Sequence, residues 1–150
     1  YDVISAMDFL EHVQNDKQVF HWMVEHLNPD GILFLTVPAY QFLFSYHDVA
    51  ACHYRRYSLK KIKELNSGQL SVLKKGYFNY ILFPFAAAIR LFGRMRKNIN
   101  QSKRKQSSIV PLCLDRIFFY LLRREAGLIS NYSLFPYGLT VYVLFKKCNR

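Results

Sequence analysis

Ile32-Leu33-Phe34-Leu35-Thr36-Val37 is a nearly unbroken apolar run closed by Pro38, and it constrains the fold more than any other stretch. Runs of this kind belong to parallel strands covered by helices on both faces, because a strand with one wet face would alternate. The residues upstream agree with that reading. Val19, Phe20, Met23, Val24 and Leu27 recur at three- and four-residue spacing, which lays one apolar face along a helix. Asn15-Asp16 offers a side-chain oxygen to cap its first amides, and Asn28-Pro29-Asp30-Gly31 stops it. Before the helix, Tyr1 to Met7 reads as a strand, until Asp8 and Glu11 break the apolar run. Strand, helix, tight turn, strand is a βαβ unit with a right-handed crossover, so the fold class is α/β.

Downstream, Ala39 to Tyr57 is dense in aromatics, His and Arg. Ser58 caps a short helix in which Leu59, Ile62 and Leu65 share a face, Gly68 ends it, and Leu70-Ser71-Val72-Leu73 reads as a strand. Tyr80 to Met95 reads as an apolar helix with Pro84 in its first turns, and Arg90, Arg94 and Arg96 gather where a helix dipole favours cations. Lys97 to Ser108 is a polar surface loop. Leu112 to Arg124 is a second apolar helix with basic punctuation, and Leu139 to Phe145 is the last strand. No internal repeat is present.

Charge is placed unevenly. Residues 1–48 hold seven acids and one base, a net of −6, while residues 49–150 carry a net of +17. The basic part suits nucleic acid, anionic lipid or a phosphorylated ligand, or is simply a soluble surface. Cys52, Cys113 and Cys148 are widely spaced with no CxxC pair, which argues against a disulfide framework and a zinc site and suits a reducing cytoplasm. No basic region precedes an apolar run at the start, so no signal peptide is read. A chain whose first residues already form a strand is expected to be cut from a longer one.

Open α/β sheets bind ligands at the carboxyl ends of their strands. Two strand ends therefore converge on Asp8, Glu11, His12, His47, Asp48, His53, Arg55 and Arg56. Glu11 and His12 have a plain alternative as caps of the following helix. His21 and His26 fall on its polar face and are expected in solvent. His47, Asp48 and His53 lack a compact ligand pair, so no metal is expected. Arg55 and Arg56, flanked by Tyr54 and Tyr57, suit the grasp of an anionic group.

Several of these segments resemble a known family. Tyr1-Asp2-Val3-Ile4, followed by Asp8-Phe9-Leu10-Glu11-His12-Val13, resembles the motif after the fourth strand of class I S-adenosylmethionine-dependent methyltransferases, of the type found in ubiquinone-biosynthesis O-methyltransferases. Leu27-Asn28-Pro29-Asp30-Gly31-Ile32-Leu33 is similar to that family's turn into strand five, with Asp30 where Gly is usual. Val37-Pro38-Ala39-Tyr40, Ser45-Tyr46-His47-Asp48 and His53-Tyr54-Arg55-Arg56-Tyr57 are similar to the ordered signature of a bacterial subgroup. Phe78-Asn79, Phe83-Pro84 and Pro136-Tyr137-Gly138-Leu139 follow in the subgroup's order.

The resemblance implies a Rossmann-like seven-stranded sheet with an antiparallel last strand. Residues 1–150 would supply the fourth to seventh strands as a partial domain, with two helices inserted over about 77–135. The Gly-rich loop and the ribose-holding acid are missing, so this fragment alone is expected to be inactive. S-adenosylmethionine is the implied cofactor, with Met7, Asp8, Glu11 and His12 as the cofactor-side residues. Methyl transfer is an in-line displacement that needs alignment, plus a base if the acceptor is a hydroxyl. His47, Asp48 and His53 are the catalytic candidates, and Tyr40, Arg55, Arg56 and Tyr57 the substrate-binding ones. The acceptor is expected to be a small molecule, anionic or lipid-linked. The helix over Tyr80–Met95 suits peripheral contact with an anionic membrane at the cytoplasmic, inner face. The competing readings are a non-catalytic basic module for anionic lipid or RNA, and a non-catalytic methyltransferase relative acting as a partner subunit. No RNA-binding motif is present, so no specific nucleic acid is expected.

Overall fold

The apolar run is the second strand of a mixed sheet. A computed structural model describes residues 1–95, 112–130 and 135–148. The loop expected over Lys97–Ser108 lies outside the described residues, as do Arg96 and the side chains of Arg94 and Cys113. Strand β1 (Val3–Met7), helix α1 (Asp16–His26) and strand β2 (Ile32–Pro38) form the βαβ unit, with Ala6 registered on Leu35. Asn15 caps α1 by accepting from the Gln18 amide, so the capping alternative for Glu11 and His12 is not used. At the other end of α1, Lys147 Nζ donates to the carbonyls of Val24 and Leu27 at 2.7 Å each, placing a cation at the negative end of the helix.

Short helix α2 (Tyr46–Ala50) and helix α3 (Leu59–Asn66) lead to β3 (Ser71–Phe78). Helices α4 (Phe83–Met95) and α5 (Leu112–Ser130) precede β4 (Thr140–Lys146). The strand order is β1-β2-β4-β3, and β4 runs antiparallel to both its neighbours. The last strand is thus the antiparallel one, and β1, β2 and β3 all point their carboxyl ends to one edge.

Three boundaries differ from expectation. The third strand runs on to Phe78, because it is a sheet edge where Lys74 and Lys75 interrupt the apolar pattern without breaking the pairing; a register shift lies between Val72 and Lys74. Helix α4 starts at Phe83, not Tyr80. Before it, the amides of Tyr80 and Ile81 donate to the buried Glu125 carboxylate of α5 at 2.9 and 3.4 Å. Helix α5 continues six residues beyond Arg124 to Ser130.

The core lies on one face of the sheet. Leu33, Leu35 and Val37 of β2 and Val141, Val143 and Phe145 of β4 pack with Phe20, Met23 and Val24 of α1 and with Ile62 and Leu65 of α3. Phe20 meets Phe145 edge to face at 5.8 Å between ring centroids, a favoured aromatic geometry. The other face departs from the expectation that helices cover both. There Val3 and Met7 are exposed, and Ile32, Phe34 and Leu144 are only half-buried.

Candidate functional site

The carboxyl edge of the sheet is built by the segments that leave β1 and β2. Asp8 leaves β1 with a left-handed backbone, φ 47°, its amide donating to the Thr36 carbonyl at 3.0 Å and lying 3.2 Å from Thr36 Oγ1. A turn of 3-10 helix follows over Leu10–His12, and the Tyr54 amide donates to the Glu11 carbonyl at 2.7 Å. That bond ties the first strand end to the His53–Tyr57 segment.

Asp48 organises the second strand end. Its carboxylate receives the Arg56 guanidinium at 2.6 and 2.7 Å, Arg90 Nη1 of α4 at 3.1 Å, and the Ser45 amide and hydroxyl at 2.8 and 3.1 Å. His53 Nδ1 lies 3.3 Å from the same carboxylate. Burial works to raise the Asp48 pKa, but hydrogen bonds from Arg56 and Ser45 and the charges of Arg56 and Arg90 outweigh it and hold the carboxyl below its ordinary value. A carboxylate so held is a poor proton acceptor, which argues against the catalytic role expected of Asp48.

Arg56 is corrected for the same reason. It is buried, bound to Asp48 and to the Ala39 carbonyl, and so closed to an anionic acceptor. Tyr57 is also internal, donating to Asp16 Oδ2 at 2.9 Å and lying 3.1 Å from the Leu10 carbonyl. Arg55 pairs with Asp16 at 2.9 Å and donates to the Gln14 carbonyl at 2.6 Å, so its guanidinium too is engaged within the fold. Sequence reading saw two adjacent guanidiniums; it could not see that two buried carboxylates claim them.

Other candidates stay at the surface. Met7 is 63% exposed, Asp8 is exposed beside it and Phe9 is 47% exposed. His47 is exposed on α2, and His21 and His26 are exposed on α1 as expected. Tyr40 leaves β2 with φ 59°, a strained angle for an aromatic residue. Its ring stacks on Tyr77 at 5.4 Å with 8° between planes and meets Phe42 and Phe83 at 5.3 and 5.5 Å. Burial and the Tyr77 hydroxyl raise the Tyr40 pKa above the ordinary phenol value. Tyr77, Phe83 and their neighbour Tyr137 were missed as site residues. The sequence signals were aromatic density near strand ends and, for Phe83 and Tyr137, their place in the subgroup's ordered motifs.

Glu11 stands apart. Its side chain is fully buried, and neither carboxylate oxygen has a hydrogen-bond partner among the described residues. Burial raises its pKa to about 7, the Asp8 charge adding to the rise while its own amide and the Arg56 charge oppose it. His12 and His53 meet edge to face at 4.5 Å beside it. Glu11 and His12 therefore face His53, while Met7 and Asp8 face outward.

With this geometry in view, the sequence comparisons are direct. The family model for the methyltransferase domain matches residues 1–77, which carry the strand ends just described. This chain belongs to the methyltransferase-domain family. No curated protein matches the chain in sequence. Among solved structures, this chain is similar to one from the complex that contains the Haloferax volcanii Trm112 methyltransferase activator. That match has a TM-score of 0.51 at 11% identity, covering 99% of this chain and 54% of the other. It is also similar to Haemonchus contortus phosphoethanolamine N-methyltransferase 2 in complex with S-adenosyl-L-methionine, with a TM-score of 0.51 at 9% identity, covering 99% of this chain and 34% of that one. At such identities the likeness is one of fold: a Rossmann-like methyltransferase sheet. The chain spans about half, and about a third, of these relatives' lengths.

Proposed function

We propose that the full-length protein transfers a methyl group from S-adenosylmethionine to a small acceptor with an aromatic or apolar body. One observation carries this reading. The row Met7-Asp8-Phe9 stands exposed at the carboxyl end of β1, within the segment that the methyltransferase family model matches. An exposed thioether, carboxylate and phenyl ring in sequence suit the cationic, partly apolar methionine end of that cofactor. The carboxylate answers the ammonium, and a ring face attracts a sulfonium. When bound, S-adenosylmethionine supplies a methyl group on a positively charged sulfur, open to in-line displacement.

The acceptor side falls to the next strand ends. Tyr40, Phe42 and Tyr77 offer ring faces to an apolar body, which replaces the anion grip expected of Arg55 and Arg56. Asp48 accepts the Nδ1 proton of His53 and so leaves Nε2 as the electron-pair donor at this edge. The tautomer follows from Asp48 being ionised and able only to accept.

Titration of the full-length protein with S-adenosylmethionine tests the assignment. D8N is expected to weaken binding about tenfold or more, roughly 1.4 kcal/mol. H53A is expected to leave that binding within about twofold while cutting transfer of labelled methyl by about 100-fold. Unchanged binding in D8N, or none in the full-length protein, would sink the proposal.

A second reading concerns location. Phe85 and Ile89, four residues apart on α4, are 64% and 69% exposed, and Phe119 and Tyr120 on α5 are 62% and 65% exposed among exposed arginines. Among the described residues no helix is long and apolar enough to cross a membrane. Exposed apolar side chains with basic neighbours suit a helix pair lying on an anionic lipid surface at the cytoplasmic side, and a lipid-linked acceptor would meet the site there.

A further inference from the structure

We propose that Glu11, His12 and His53 form a binding site for a divalent transition-metal ion of the zinc class. Three observations converge on it. One ligand atom from each residue lies within 4.8 Å of the others, although His53 is far from Glu11 and His12 in sequence. Glu11 is completely buried and neither oxygen has a hydrogen-bond partner among the described residues, a costly state for a carboxylate unless something else satisfies it. Asp48 holds His53 through Nδ1, the arrangement by which a carboxylate orients a metal-bound imidazole and sets its other nitrogen as the ligand.

The donor set decides the class of ion. Two imidazoles and one carboxylate make a three-ligand site with an open position, suited to zinc and its first-row neighbours. Magnesium prefers an all-oxygen shell and is not expected. Metal–ligand distances of about 2.1 Å place tetrahedral ligand atoms about 3.4 Å apart, so atoms that lie within 4.8 Å of one another need draw in by no more than about 1.4 Å. His12 is exposed, so its imidazole is the ligand of the three best placed to adjust. The Tyr54–Glu11 backbone bond keeps the two segments together while it happens.

This deepens the proposed function by naming what His53 Nε2 donates to, but metal binding is measured without cofactor or acceptor. The chelator-stripped full-length protein is titrated with Zn2+ by calorimetry and with Co2+ by visible spectroscopy. The expected result is one equivalent of Zn2+, a Co2+ spectrum without thiolate charge transfer, and no competition from Mg2+. H12A and H53A should each weaken Zn2+ about tenfold or more, E11Q likewise, while C52S and C148S leave it unchanged. His12 is exposed, so H12A remains decisive even if E11Q does not fold. Zn2+ affinity unmoved in H12A and H53A, a thiolate band that C52S removes, or equal binding of Mg2+ would overturn the site. Intact Zn2+ binding with no S-adenosylmethionine binding would refute the proposed function and leave the metal site standing.

Discussion

Asp16 sits at the start of α1 with the Tyr57 hydroxyl and the Arg55 guanidinium both at 2.9 Å. Burial works to raise its pKa, but the hydrogen bonds from Arg55 and Tyr57 and the Arg55 charge outweigh that and hold it below the ordinary carboxylate value. A carboxyl whose folded pKa is depressed contributes stability above its unfolded value, and loses it as pH falls through the folded value. D16N is therefore expected to cost about 1–3 kcal/mol at neutral pH. The gap from wild type should close progressively below about pH 4; urea denaturation across that range measures it, and a gap constant with pH would contradict the pairing. At this scale the sequence revealed which residues gather and hid what they do. Asp8, His12 and His53 were legible because strand ends collect ionisable groups. The capture of Arg56 by Asp48 and of Arg55 by Asp16 was not, since burial depends on three chain segments meeting. The glycine usual at position 30 has its reason in the backbone: Asp30 adopts φ 62°, which glycine reaches without steric cost.

At the scale of elements, named contacts among the described residues hold the insertion together and tie it to the sheet. Glu125 of α5 accepts from the chain just before α4, Arg90 of α4 reaches Asp48 and the Leu43 carbonyl, and Gly138 lets the chain enter β4 against β3. A Cβ on Gly138 would run into the Phe78 carbonyl oxygen, and backbone cannot move aside as a side chain does. G138A is expected to destabilise by about 1–3 kcal/mol through that overpacking, read as a lower urea midpoint with an unchanged m-value. A stability equal to wild type would mean that β3 and β4 are not held this closely. The βαβ unit was legible almost to the residue, because caps, turn and apolar period agreed. β3 was half-legible: an edge strand tolerates Lys74 and Lys75, and tolerance leaves no periodic mark. The start of α4 was obscured because its preceding amides are satisfied from α5, a partner distant in sequence.

For the whole molecule, the acidic first third and the basic remainder now have separate places. The acids of residues 1–48 include Asp8, Glu11 and Asp48 at the carboxyl edge, whereas exposed Arg116, Arg123 and Arg124 stand on α5 with exposed Phe119, Tyr120 and Leu128. Charge asymmetry and the mixing of apolar with basic residues on these helices were visible in the sequence, but not which of the apolar side chains are left exposed. Under the proposed lipid-surface reading this coexistence has a use, because a merely soluble face does not gain by exposing Phe85, Ile89 and Phe119. Sedimentation with phosphatidylcholine vesicles doped with phosphatidylserine is expected to carry the protein down at low salt, and less as salt screens the arginines. Each basic residue near the surface contributes about 1 kcal/mol, so R123E/R124E should reduce bound protein several-fold, and F85S/I89S should reduce it without changing the salt dependence. Equal sedimentation with neutral vesicles would remove the electrostatic half of the argument, and none with either would remove the surface altogether. A methyl acceptor delivered from lipid would then have to be given up in favour of one taken from solution, and the aromatic cluster at Tyr40 would be reached from water alone.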